Sequence, residues 1–127
     1  MQLQVVVEGE SGDSAMTFGQ RLRALRVERR LNQKDLAAAA GIDVTYLSKL
    51  ENSRLEPPAE ETIRRLAAAL EAEPTELLLL AHKVPSDLKP IINASPMVPR
   101  FLRAARNLTD EEWQTLIAAV EAGEIGR

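Results

Sequence analysis

Apolar residues recur at helical spacing through the first two thirds of the chain. Phe18, Leu22 and Leu25 follow the i, i+4, i+7 pattern of one helix face and predict an amphipathic helix over residues 17–30, with Thr17 as its N-cap. A second stripe predicts a helix after the motif "EPP", with acidic residues in its first turn. The members of this second stripe are Ile63, Leu66, Ala67 and Leu70.

Two short helical segments lie between these stripes. Residues 33–40, "QKDLAAAA", are strong helix formers, and Gly41 after them suits the left-handed position at a helix C-terminus. Asp43 can cap the next helix, predicted over residues 43–52 with its leucines facing inward. Only "GID" separates the two helices. This spacing indicates a helix-turn-helix, although a plain hairpin of two helices fits it as well.

The remaining sequence predicts one more helix and a small C-terminal element. Pro74 suits the first position of the helix "PTELLLLAH", so that five helices fill residues 17–82. The proline-rich residues 83–97 are interpreted as a linker with at most one short helix. Residues 98–127 predict a helical hairpin, whose second helix begins with a capping box at Thr109.

The apolar stripe of this hairpin is too small to form a core by itself. We expect it to pack within the hairpin, on the first domain or on a second copy of the chain, and dimerisation is the interpretation that we favour. The candidate dimer or partner residues are Phe101, Leu102, Trp113, Leu116, Ile117 and Val120. Residues 1–16 are interpreted as a flexible tail, while a short strand paired with a dimer mate and translation from Met16 stay open.

Composition favours helices and excludes several chemistries. Hydrophobic residues form 45% of the chain but aromatic residues only 3%, so the core has to come from aliphatic side chains, which favours an all-α fold. Without cysteine there is no disulfide and no thiolate ligand or nucleophile. His82 is the single histidine and has no acidic cluster beside it, so we expect no enzyme, metal or cofactor. Since the sequence lacks signal-peptide features and long apolar runs, we expect a cytoplasmic location and no membrane contact.

Charge is distributed unevenly along the chain, although the net charge is only -3. Residues 17–55 carry eight Lys or Arg against four acidic residues, whereas residues 56–82 carry two against six. The basic segment contains both helices of the predicted helix-turn-helix. It favours a nucleic-acid ligand, and an ordinary solvated helix face is the competing interpretation.

The wider set of motifs resembles the XRE family, the Cro and phage-repressor type of helix-turn-helix regulator. The similar stretches are "FGQRLRALR", "LNQKDLA", "AGI", "YLSKLEN" and "LAAAL", all within residues 17–82. The resemblance implies a compact five-helix, lambda-repressor-like domain that binds double-stranded DNA in a sequence-specific manner. Members of the family usually act as homodimers on palindromic operators and usually repress transcription.

The resemblance also implies roles for individual side chains. Base contacts are expected from the exposed face of the helix at 43–52, namely from Val44, Thr45, Ser48 and Lys49. Phosphate contacts are expected from Asn32, Gln33, Tyr46, Asn52 and Arg54. For Tyr46, packing in the domain is an equal alternative. Arg26 and Glu51 are expected to form an ion pair that ties the first helix to the end of the third.

Two positions depart from the family pattern. Ser53 stands where glycine is common, and because serine tolerates a left-handed backbone poorly, we expect a differently shaped loop. Asp43 places a negative charge near the expected phosphates. In layout the chain is also similar to XRE-type stress repressors that are controlled through their C-terminal segment by an ImmA/IrrE-type metallopeptidase. The alternative function is control by a partner protein of this kind, or an antitoxin whose C-terminal segment binds a toxin.

Overall fold

A computed structural model describes residues 16–126. All regular structure in this range is helical, which confirms the all-α prediction, and the residues form two compact units that divide between Pro85 and Ser86. The helices of the first unit are α1 (Phe18–Glu28), α2 (Gln33–Ala40), α3 (Val44–Glu51), α4 (Glu60–Ala69) and α5 (Pro74–Leu80). The second unit contains a 3-10 turn (Ser86–Leu88), α6 (Lys89–Ile92), α7 (Met97–Ala104) and α8 (Asp110–Glu121). Within residues 16–126, no helix is long and apolar enough to cross a bilayer.

The helix boundaries in the first unit follow the predicted capping residues. Thr17 accepts a hydrogen bond from the Gln20 backbone N–H, and the Gln20 side chain accepts one from the Thr17 N–H, so α1 opens with a complete capping box. Gly41 ends α2 with φ 72°, and Asp43 caps α3 by accepting from the Thr45 N–H. These bonds satisfy backbone groups that have no partner inside a helix, so they define the turn between α2 and α3.

An aliphatic core holds the first unit together. Its largest fully buried side chains are Leu22, Leu36, Leu47, Leu50, Ile63, Leu66, Leu70, Leu77 and Leu78. Ala37 and Ala40 are also buried, and their small side chains let α2 pack closely against α3 and α4. Burial of each leucine contributes about 1.5–3 kcal/mol. Helices this short are marginal alone, so their stability comes from this packing.

Four of the five helices in the first unit end with a residue other than glycine in the left-handed conformation. These residues are Arg30, Ser53, Glu71 and His82, with φ of 59°, 58°, 54° and 58°. After α3, the Ser53 N–H donates to the Leu50 carbonyl and the Arg54 N–H donates to the Lys49 carbonyl. This pair of bonds is the Schellman motif, which satisfies the last carbonyls of the helix. Ser53 therefore adopts the backbone conformation that the sequence led us to expect it to avoid.

The second unit contains the short helix and the hairpin that the sequence predicts. The helix α8 opens with the predicted capping box at Thr109. Phe101 of α7 packs edge to face on Trp113 of α8, with ring centroids 6.1 Å apart. Residues 86–97, which were expected within a linker, belong to this unit. The expected N-terminal tail falls on residues 1–15, which lie outside the described range, and on Met16.

Candidate nucleic-acid interface

The outward face of α3 carries short or flexible side chains above a fully packed inner face. Leu47 and Leu50 lie on the inner face, with 0% and 1% of their surface exposed. The outer face carries the four predicted base-contacting residues, Val44, Thr45, Ser48 and Lys49. Three of them are exposed and Ser48 is half-buried. Because these positions fall on successive turns of one helix, the structure brings all four side chains to one surface.

The start of this helix is held by Asp43. One of its carboxylate oxygens accepts hydrogen bonds from the Thr45 N–H at 2.9 Å and the Tyr46 N–H at 3.3 Å. The helix dipole favours a negative charge at this end, so the Asp43 charge is partly balanced within the protein. Tyr46 is half-buried and packs against the core. A contact between its hydroxyl and a phosphate stays a prediction.

Arg26 and Glu51 join α1 to the end of α3 through a bidentate ion pair. Arg26 Nε lies 2.7 Å from Glu51 Oε2, and Arg26 Nη2 lies 3.0 Å from Glu51 Oε1. The two side chains are 12% and 1% exposed. Arg26 also donates from Nη1 to the Leu31 carbonyl at 2.8 Å. The guanidinium thus connects α1, the loop after it and the last turn of α3, and so restrains that turn of α3 against α1.

Two predicted phosphate-binding residues occupy the start of α2. The Asn32 side chain caps the helix by accepting from the Asp35 N–H at 2.7 Å. Gln33 is half-buried, and its Nε2 donates to Glu51 Oε1 at 3.0 Å. The first N–H groups of an α-helix have no partner within the helix and point along the dipole, so this end of α2 is suited to an anion.

The other two predicted phosphate-binding residues follow α3. Asn52 is exposed, and its Nδ2 donates to the Ser48 carbonyl at 2.9 Å. Arg54 is exposed as well and lies one residue beyond the left-handed Ser53. The reversal of the chain at Ser53 therefore determines the direction in which Arg54 leaves the helix.

Gly19 is a structural determinant of this surface that sequence reasoning missed. It is buried in α1 against the last turn of α3, where an added Cβ would collide with the Leu50 carbonyl oxygen. That Cβ would also lie 2.9 Å from the Glu51 carbonyl oxygen and 3.0 Å from the Ser53 hydroxyl oxygen. The available signal was a glycine inside a helical pattern, which costs stability unless close packing requires it.

Several arginines of the basic segment are paired with acceptors of the same chain. Arg26 bonds Glu51, Arg21 lies 3.1 Å from a carboxylate oxygen of Glu76, and Arg29 donates to the Glu71 carbonyl. The charge count of the segment therefore overstates what it offers to a ligand. Exposed cations near α2 and α3 include Lys34, Lys49 and Arg54.

The predicted dimer or partner residues lie in the second unit and are mostly exposed. Phe101, Leu102, Ile117 and Val120 are between 42% and 53% exposed, while Trp113 and Leu116 are half-buried. These apolar side chains lie on two helices that contact each other through Phe101 and Trp113, so they are a candidate surface for a partner. Among the described residues, no cluster of His, Asp and Glu side chains is arranged to hold a metal ion.

Comparisons with known proteins identify the type of domain. A family model described as a helix-turn-helix domain matches residues 17–80. The transcriptional repressor RghR of Bacillus subtilis is 43% identical over 54 residues, which cover 42% of this chain and 40% of that protein. The transcriptional regulator DdrOP3 of Deinococcus deserti is 51% identical over 53 residues, which cover 42% of this chain and 40% of that protein.

A solved structure of a SinR protein/SinI protein complex supports the fold. It aligns with a TM-score of 0.50 over 87% of this chain and all of that chain, at 18% identity, so the likeness concerns the fold alone. The chain spans about half the length of the curated relatives that it matches. Their names describe regulators of transcription, a non-enzymatic class, in agreement with the expectation that the chain is not an enzyme.

Proposed function

The chain belongs to the helix-turn-helix domain family, and on this basis we propose that it is a sequence-specific DNA-binding regulator of transcription. In its most specific form, the proposal is that the chain is a dimeric repressor, which occludes a promoter by binding a palindromic operator. One observation carries the proposal: the outward face of α3 is exposed and mostly polar, while its inner face and both of its ends are held by the protein. A helix braced in this way can enter the major groove without losing its orientation.

The outward face of α3 is suited to base edges. Lys49 is a flexible donor of the kind that binds guanine O6 and N7, and Val44 offers an apolar contact for the methyl group of thymine. Thr45 and Ser48 carry hydroxyl groups that donate or accept, so they adapt to either kind of base edge. These four contacts are our assignment of direct base readout.

The flanking groups are suited to the DNA backbone. Asn32 and Gln33 at the start of α2, together with Asn52 and Arg54 after α3, lie on either side of the recognition surface along the chain. Tyr46 is the least supported member of this set, because its ring is half-buried. Phosphate contacts of this kind fix the register on the duplex and carry little sequence information.

Dimerisation is part of the proposal because one short helix reads few base pairs. Two copies related by two-fold symmetry would place their recognition helices at half-sites about 34 Å apart. The exposed apolar side chains of α7 and α8 supply a surface that a second copy can cover. A cytoplasmic location follows from the proposed ligand.

The same apolar surface supports a second candidate function. A different protein, such as a toxin or a metallopeptidase, could bind α7 and α8 and so control DNA binding by the first unit. This alternative shares the DNA-binding surface of the leading proposal. The two differ in what covers Ile117 and Val120 in the functional complex.

The test is selection of bound sequences from random double-stranded DNA at about 150 mM salt, a concentration that screens non-specific contacts. We expect a palindrome whose half-sites are centred about 10 base pairs apart, with a footprint that covers both. Enrichment of a single half-site would contradict the dimer but not the DNA-binding function. Enrichment of no sequence from the purified chain would contradict the leading proposal.

A further inference from the structure

We infer that Glu51 is a positioning residue for DNA binding, because its buried carboxylate holds the side-chain amide of Gln33 in the orientation that meets a phosphate. The inference rests on the proposed function and deepens it. Glu51 does not reach the DNA in this arrangement. It acts through Gln33, whose half-buried side chain lies at the start of α2.

The carboxylate of Glu51 accepts three hydrogen bonds from donors on two helices. Its Oε1 accepts from Gln33 Nε2 and from Arg26 Nη2, each at 3.0 Å, and its Oε2 accepts from Arg26 Nε at 2.7 Å. The Glu51 side chain is only 1% exposed. Water therefore cannot replace these partners without opening the domain. The ion pair with Arg26 is what allows a carboxylate to be buried beside Gln33.

An ionised carboxylate only accepts hydrogen bonds, and this restricts the amide of Gln33. The amide has a donor end and an acceptor end, and only the donor end can face Glu51. The flip of the amide and the rotamer of the side chain are therefore set before any DNA arrives. A phosphate also only accepts, so the second N–H of Nε2 is the side-chain group of Gln33 that can bind it.

Such pre-organisation has a measurable consequence. Ordering a free glutamine side chain at an interface weakens binding, and the usual cost corresponds to about a 3- to 10-fold increase in Kd. Replacing Glu51 removes the restraint on Gln33, so affinity should fall by about this factor at every DNA sequence. A residue that only stabilises the fold would change the folded fraction and leave the affinity of the folded protein unchanged.

The experiment is a double-mutant cycle with Glu51→Gln, Gln33→Ala and the double variant. The Kd for the selected operator is measured under conditions in which circular dichroism shows that each protein is folded. We expect Glu51→Gln to raise Kd about 3- to 10-fold in the native background and to have no effect in the Gln33→Ala background. An equal loss in both backgrounds would overturn the inference. Gln114→Ala, an exposed glutamine of α8, is the matched control and should leave Kd unchanged.

A second pair of measurements keeps the test decisive. If Glu51→Gln does not fold, Arg26→Met with Glu51→Met removes both charges together, which buried pairs tolerate better than loss of one partner. This variant should show the same dependence on Gln33. In the free native protein, the Gln33 Nε2 protons should exchange with solvent more slowly than those of Gln114, and equal rates would overturn the inference. No loss of affinity with Gln33→Ala would also overturn it, while the DNA-binding proposal itself is judged by Lys49→Ala.

Discussion

Replacement of Gly19 by alanine tests whether α1 and the end of α3 are in the close contact that the structure shows. The new Cβ would collide with the Leu50 carbonyl oxygen and approach that of Glu51 to 2.9 Å. Backbone carbonyls cannot rotate away as side chains do, so one helix has to move. Overpacking of this kind costs about 3 kcal/mol at the upper end of its usual range.

Helix propensity opposes this cost, because alanine is favoured over glycine in a helix interior by about 1 kcal/mol. The expected net effect of Gly19→Ala is therefore a loss of about 2 kcal/mol in the free energy of unfolding. In a domain of this size, that loss lowers Tm by roughly 8–16 °C. Thermal unfolding followed by far-UV circular dichroism, which reports helix content, measures this loss.

Ala68→Gly is the matched control for the propensity term. Ala68 is exposed on α4, so its replacement should cost about 1 kcal/mol through propensity alone. A rise in Tm with Gly19→Ala, of the size that propensity predicts, would refute the reasoning. It would mean that α1 and α3 are further apart than described.

Three further predictions concern the ligand, the helix ends and the oligomeric state. Lys49→Ala should relax specificity at one position of the selected site, with Lys89→Ala as a neutral control. Gln33→Ala should weaken binding to all sequences alike and leave the salt slope unchanged, because an uncharged amide releases no counterion from the DNA. The opposite pattern of specificity in binding isotherms would contradict this division. His82→Gly should raise the free energy of unfolding by about 0.5–1 kcal/mol, because glycine relieves the strain of the left-handed backbone, and His82→Ala should not raise it. Urea unfolding measures this difference, and equal midpoints for the two variants would contradict the prediction. Ile117→Glu should convert a dimer to a monomer, as measured by analytical ultracentrifugation. The control Leu79→Glu, at a similarly exposed position of α5, should leave the dimer intact. The reverse result would place the dimer interface on the first unit.

Local features of this protein were readable from its sequence. Thr17, Asp43 and Thr109 cap helices because each side chain bonds a backbone N–H within three residues. Gly41 can adopt the left-handed conformation of the turn because it lacks a Cβ. The spacing of the apolar residues predicted which side chains are buried, because an α-helix repeats every 3.6 residues. These features involve neighbours along the chain, so the order and the inward faces of the first five helices could be predicted.

Other features depended on residues far apart in the sequence. The helix ends at Ser53 and His82 carry no glycine, so no local signal marked their left-handed conformation. The arginines in and directly after α1 suggested a surface for nucleic acid, but the fold places acceptors from α3, from α5 and from the turn after α4 beside three of them. A charge count cannot tell which cations are paired within the chain and which are available to a ligand, because the pairing depends on which helices pack together.

The candidate interface shows the same division. Its residue types and their spacing on α3 are properties of one helix and were available from the sequence. The bond between Gln33 and Glu51 and the close approach at Gly19 join residues 18 to 34 positions apart. Such contacts exist only after the core has packed, since burial is what brings the polar groups together and makes an unsatisfied one costly. The sequence indicated which helix is the candidate for reading DNA, and the tertiary structure decided which contacts hold the residues around it.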